Sequence, residues 1–191
     1  EVYRVWTPNN QPYTNSLILN EKVLVPVMGS SWDDEALASY EEAMPGFNII
    51  SFTGSWESTD ALHCRIEGIP DLEMLQVFHN PINDSTEAVD NGYPVEVIID
   101  DLSETGLIED SIMVFWKTSE MNDWNSEPLY GSDIPEEPDT WSGWIPFQGE
   151  EGTYQYFIQT ADSSGRIEKS PLAGWYEFWA MPPNTCLEWD L

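Results

Sequence analysis

Apolar and polar side chains alternate with a period of two at Glu1–Trp6 and again at Tyr93–Ile99, Ser111–Lys117 and Thr153–Thr160, which predicts half-buried strands. Val95, Val97 and Ile99 fall on one face; Met113 with Phe115, and Tyr154, Tyr156 and Ile158, repeat the spacing. Lys22–Val27 is almost continuously apolar, as a strand covered on both faces should be. With Asn15–Leu19 it predicts a hairpin turned at Asn20-Glu21. A helix is predicted from Asp33 to Glu42 or Met44, N-capped by Ser31, with Asp33 and Asp34 in its first turn. Leu37 and Tyr40 would face the sheet, and Pro45-Gly46 stops the helix before a strand at Phe47–Phe52.

From Leu72 onward the pattern is of strands alone: Leu72–Phe78, the three named above, a piece at Pro128–Tyr130, then Gly143–Phe147, Arg166–Glu168 and Trp175–Trp179. Clusters of Gly, Asn, Asp and Pro separate them, and Asp162–Gly165 reads as a tight turn. That spacing predicts an immunoglobulin-like β-sandwich of about seven strands, here without the cysteine–tryptophan–cysteine signature. The expected class is therefore α+β. Residues 1–75 form a strand–hairpin–helix–strand (ββαβ) unit, 76–181 the sandwich, and 182–191 a tail with an apolar edge at Leu187 and Trp189.

Charge narrows the partners. Thirty-five acidic against six basic residues give a net charge of −29, spread along the whole length. Nucleic acid and anionic membrane need positive surface and are disfavoured. The charge suits a solvated face in salty or extracellular surroundings, and also an attraction for cations. Ten Trp, eight Tyr and seven Phe argue against disorder. No apolar stretch reaches membrane length. The opening at Glu1, without an initiator methionine, suggests a piece of a longer protein. Cys64 and Cys186 make no disulfide framework.

Candidate chemistry centres on Leu62-His63-Cys64-Arg65-Ile66-Glu67-Gly68-Ile69-Pro70-Asp71. On local sequence, Cys64 reads either as a core thiol or as a nucleophile. Gln11-Pro12-Tyr13-Thr14-Asn15-Ser16-Leu17-Ile18-Leu19-Asn20, then Val23–Val27, a short helix, a strand and a Gly/Ser/Thr-rich approach to Leu62-His63-Cys64 occur in an order with a known counterpart. Taken together they resemble the last portion of the bacterial (Porphyromonas-type) peptidylarginine deiminase and agmatine deiminase family, of the guanidine-modifying (pentein) superfamily. The resemblance implies the last of five ββαβ units of an α/β propeller, with Cys64 as nucleophile and Asn15 as a contributing side chain; Asn10 competes for the second role.

The implied reaction converts an arginine-type guanidinium to citrulline and ammonia through a thiouronium adduct. It needs a histidine acid/base and carboxylates that fork the guanidinium. The chain holds only His63 and His79. In an extended stretch His63 would point away from Cys64. The family's histidine and carboxylates come from earlier units, so the isolated chain is expected to be inactive. Its implied partners are the rest of the catalytic domain, in a longer precursor or a separate chain, and an arginine-containing peptide or agmatine-like cation. No cofactor and no metal are implied, and the parent is expected to be secreted or in the cell envelope.

Blander readings stand beside these. Asp60 shapes the pocket or is a solvated loop carboxylate; Arg65 assists the thiol, receives a substrate carboxylate, or forms a surface ion pair with one of the many acidic residues; and His79 serves a junction. Asn83-Asp84-Ser85 is a glycosylation triplet of low information. Trp124 and Trp141 form a ligand platform or simply pack, and the acidic loops bind calcium or are solvated. Ile145–Gly149 and Tyr154–Arg166 resemble the end of immunoglobulin-like modules trailing secreted bacterial hydrolases and deiminases, which brace rather than catalyse. The alternative function is accordingly a noncatalytic secreted structural or interaction module carrying a vestigial deiminase unit. A third reading is a cysteine hydrolase completed by another subunit.

Overall fold

Three sheets organise the chain in the computed structural model, which describes residues 3–57, 60–68, 70–90, 92–134, 136 and 139–183. Two units result: Glu1–Pro70 with Leu172–Gly174, and Asp71–Pro171 with Trp175–Leu191.

In the first unit β1 (Leu17–Leu19) and β2 (Lys22–Val27) form an antiparallel hairpin. Its turn uses Asn20 at a φ of 51°, a left-handed conformation that asparagine tolerates. Helix α1 (Asp33–Ala43) then returns the chain to β3 (Asn48–Thr53), which lies parallel to β2 in the order β1-β2-β3. Val23, Val25 and Val27 of the central strand pack with Tyr13, Ala36 and Tyr40 in a small core. Leu19 and Phe52 stay exposed.

Two local expectations fail here. Tyr3–Trp6 is not a strand; Val5 packs on the core while Tyr3 and Trp6 are exposed, and Glu1 and Val2 lie outside the described residues. Ser31 does not cap α1. The N-cap is Trp32, without a side-chain bond, and Asp33 instead reaches back to accept the backbone N–H groups of Gly29 (2.8 Å) and Ser30 (2.9 Å). Asp33 also accepts the Tyr13 hydroxyl at 2.7 Å. Burial opposes its charge, but these bonds win and hold its carboxyl below the usual range.

The second unit is a two-sheet sandwich. One sheet orders β4 (Leu75–Phe78), β6 (Gly92–Asp101), β10 (Thr140–Pro146) and β9 (Tyr130–Gly131) as β4-β6-β10-β9. The other runs β5-β13-β11-β7-β8, built from β5 (Ser85–Glu87), β13 (Tyr176–Met181), β11 (Gly152–Ala161), β7 (Met113–Thr118) and β8 (Asn125–Pro128). β12 (Ile167–Ser170) pairs with the far end of β11, on the edge that β13 continues. β5 joins β13 in parallel, the rest being antiparallel.

Inward residues of both sheets, among them Tyr93, Val95, Val97, Ile99, Val114, Trp116, Ile145, Tyr154, Tyr156, Ile158 and Phe178, make one core. Each such side chain is worth about 1.5–3 kcal/mol when fully buried. On β7 the inward set is Ile112, Val114 and Trp116, so Met113 and Phe115 point outward. Tyr154 accepts the Gln148 N–H at 2.8 Å, a tyrosine corner of the immunoglobulin kind. Two residues on, where antibody domains place a cysteine, stands Tyr156.

The expected fold class is corrected. A five-unit α/β propeller is not formed; among the described residues there is one three-stranded sheet with one long helix, followed by two open sheets. The propeller rested on resemblance alone, which implied residues 1–75 as the last of its five units with the other four outside this chain. The tail from 184 onward, with Cys186, Leu187 and Trp189, lies outside the described residues.

Candidate functional site

Asn15 and Cys64, 49 positions apart, meet in the first unit. Asn15 sits in a turn, its N–H donating to the Pro12 carbonyl at 2.8 Å. Its Oδ1 accepts the backbone N–H groups of Ala61 (3.2 Å) and Cys64 (3.3 Å), and its Nδ2 donates to Cys64 Sγ at 3.2 Å. The Asn15 carbonyl accepts the His63 N–H at 3.2 Å. One side chain thus fastens the 61–64 turn and orients the sulfur. Cys64 is exposed. Asn10 lies in the Pro8–Asn10 turn, with a left-handed φ of 58°.

The stretch bearing the thiol is not extended. His63–Arg65 is a single 3-10 turn with all three residues exposed, because the Arg65 N–H bonds to the Leu62 carbonyl at 3.1 Å. Asp60 is already engaged: Arg65 Nε and Nη2 fork onto its two oxygens at 3.1 and 3.0 Å. The hydrogen bond from Arg65, reinforced by its charge, holds the Asp60 carboxyl below its ordinary range. The plainer reading of Arg65, a surface ion pair, is what the structure has, and Asp60 is its partner where a solvated carboxylate was expected.

His79 belongs to the second unit and is held by both ring nitrogens. Nδ1 lies 2.6 Å from the Glu96 carbonyl, which can only accept, so Nδ1 carries the proton. Nε2, 2.8 Å from the Tyr156 hydroxyl, is therefore the acceptor. The same hydroxyl receives the Ile82 N–H at 2.9 Å. Burial lowers the His79 pKa, outweighing the Glu96 carbonyl, and burial raises that of Tyr156. The histidine is a neutral peg that ties the 79–82 loop to the core.

Asp162 is likewise used up. Fully buried, it accepts Ser164 N–H (2.9 Å), Ser164 Oγ (2.6 Å) and Arg166 N–H (3.0 Å), which builds the predicted Asp162–Gly165 turn. Burial opposes its charge and the hydrogen bonds overcome it, leaving its carboxyl below the usual range. Asp101 closes its own loop by accepting from Ser103 and Gly106. Among the described residues no three His, Cys, Asp or Glu side chains are placed to hold a metal ion.

The tryptophan pair separates. Trp141 is on β10 and packs against the sandwich core. Trp124 lies on the outer side of the six-stranded sheet, against Phe157 and Trp175. The sequence reading missed Phe157 and Trp175 as its companions, although an aromatic at 157, between inward Tyr156 and Ile158, was a signal that it faces out.

A catalytic cysteine–histidine–carboxylate arrangement is not formed among the described residues: His79 is a core peg, His63 is exposed on the cysteine's own turn, and Asp60 is paired with Arg65. No family model matches the chain. The crystal structure of CopC from Methylosinus trichosporium OB3b aligns at 17% identity over 55% of this chain and 95% of that one, with a TM-score of 0.36. A structure of murine CRIg aligns at 9% identity over 56% and 97%, with a TM-score of 0.29. The resemblance to the deiminases, and the hydrolase and citrullination chemistry it implied, are corrected on the site itself: among the described residues the cysteine, histidine and carboxylate groups are not brought together.

Proposed function

We propose that this chain is a noncatalytic structural or interaction module of a secreted or envelope-exposed protein. One observation carries the reading: Asn15 and His79, both weighed for chemistry, serve as backbone tethers, as two aspartates do. Asn15 fastens the 61–64 turn, His79 the loop after β4, Asp162 the turn after β11 and Asp33 the loop before α1. The sandwich, closed by an aromatic core, is an architecture suited to presenting surface. The acidic surface suits solution outside the cell, and no helix among the described residues is long and apolar enough to cross a membrane.

Thiol reactivity tests the proposal. In a Cys186→Ser background, Cys64 should alkylate with iodoacetamide no faster than a cysteine in a short unstructured peptide. A rate far above that peptide's, suppressed by an arginine-like cation, would contradict a structural role.

A further inference from the structure

The outer face of the six-stranded sheet carries an aromatic and cationic patch. Phe115 and Phe157, cross-strand partners on β7 and β11, stack at 4.8 Å between centroids with planes 7° apart. Trp124 meets Phe157 edge-on at 4.9 Å and leans on Trp175 at 6.2 Å. Lys117 Nζ lies 4.9 Å from the Trp124 centroid and 5.8 Å from that of Trp175; Lys169 Nζ lies 4.2 Å from that of Phe157. Two of the chain's six basic residues thus share one face of a molecule with a net charge of −29. Among the described residues Lys117 has no carboxylate in salt-bridge range, despite that excess of acid. Glu177 shares the face but is held by the Gln155 amide at 3.0 Å.

We propose that this face binds an anionic carbohydrate, a glycan whose sugar rings carry carboxylates. The inference rests on the interaction-module reading and names its partner. Sugar C–H groups, slightly positive beside ring oxygens, suit the negative faces of Trp175 and Trp124. The two ammonium groups supply the complementary charge. Trp175 is 44% exposed. A peptide is the poorer fit: extended peptides add to a free strand edge or fill a groove. Here β7 and β11 already have partners on both sides, so recognition must come from side chains alone.

Calorimetric titration of the full chain with polygalacturonate oligosaccharides tests this, with neutral dextran and poly-glutamate as comparisons. The result expected is binding to polygalacturonate that weakens as salt rises, with none to dextran. Trp175→Ala, and Lys117→Gln with Lys169→Gln, should each weaken it roughly tenfold or more while circular dichroism shows the fold retained. No binding to polygalacturonate, or equal binding to poly-glutamate, would overturn the glycan assignment and leave the module reading standing. Chemical conversion of the oligosaccharide, seen by mass spectrometry, would overturn the module reading as well.

Discussion

His79 Nε2 and the Tyr156 hydroxyl, 77 positions apart, lie 2.8 Å from each other, and that hydroxyl also takes the Ile82 N–H. The pair joins the loop after β4 to the middle of β11, near where an antibody domain would place its inter-sheet disulfide. Tyr156→Phe keeps the ring packing and strands two polar groups. Urea unfolding should show a loss of about 1–3 kcal/mol with an unchanged m-value.

The same peg gives stability a pH dependence. Burial holds the folded-state pKa of His79 below its ordinary 6.5, so between those two values the unfolded chain binds the proton more readily. Stability should be full above about 6.5 and fall as pH drops towards the folded-state value. His79→Gln should flatten that part of the profile relative to the wild type, which urea titrations from pH 7.5 to 5 would register.

Asp162 acts with the same proton count, in a more acidic window. Its folded-state carboxyl lies below the ordinary 3.8, so its contribution is present above that value and lost as pH falls through the lower one. Asp162→Asn should be less stable than the wild type at neutral pH, with the gap closing in strong acid.

Asn15→Ala removes the bond to Cys64 Sγ and two backbone anchors of its turn. Loss of one such bond should raise the alkylation rate of Cys64 roughly two- to tenfold, measured in a Cys186→Ser background. An unchanged rate would show that the amide does not restrain the sulfur.

Gly143→Ala tests the packing of β10. An added Cβ would lie 2.7 Å from both Leu129 Cδ2 and the Pro128 carbonyl oxygen, one of them backbone. Overpacking of this kind costs about 1–3 kcal/mol, readable in thermal or urea unfolding.

Much of the sandwich was legible because Val95, Val97 and Ile99 recur at a period of two, and burial follows that period even past the apolar Ile98. On β7 the spacing left the face open: Met113, Val114, Phe115 and Trp116 are all apolar, so alternation cannot say that Val114 and Trp116 are the pair inside. β5 was invisible, since Ser85–Glu87 is polar and owes its strand to pairing with β13. Around Cys64, the juxtaposition with Asn15 came from resemblance, whereas its one-turn helix and the Asp60–Arg65 fork depend on contacts that residue order does not encode. The turn at Asp162 and the junction at His79 were legible from residue order, but the partners that hold them, the Tyr156 hydroxyl and the Ser164 and Arg166 N–H groups, were not.

The central claim, that these ionisable and nucleophilic groups hold the backbone and do not turn over substrate, meets its most direct test in a product assay. The full 191-residue chain would be incubated with an arginine-containing peptide and with agmatine while citrulline-type product and ammonia are measured. The structure leads us to expect release no greater than in buffer, and the same for Cys64→Ala. Sustained release from the wild type that disappears in Cys64→Ala would contradict it.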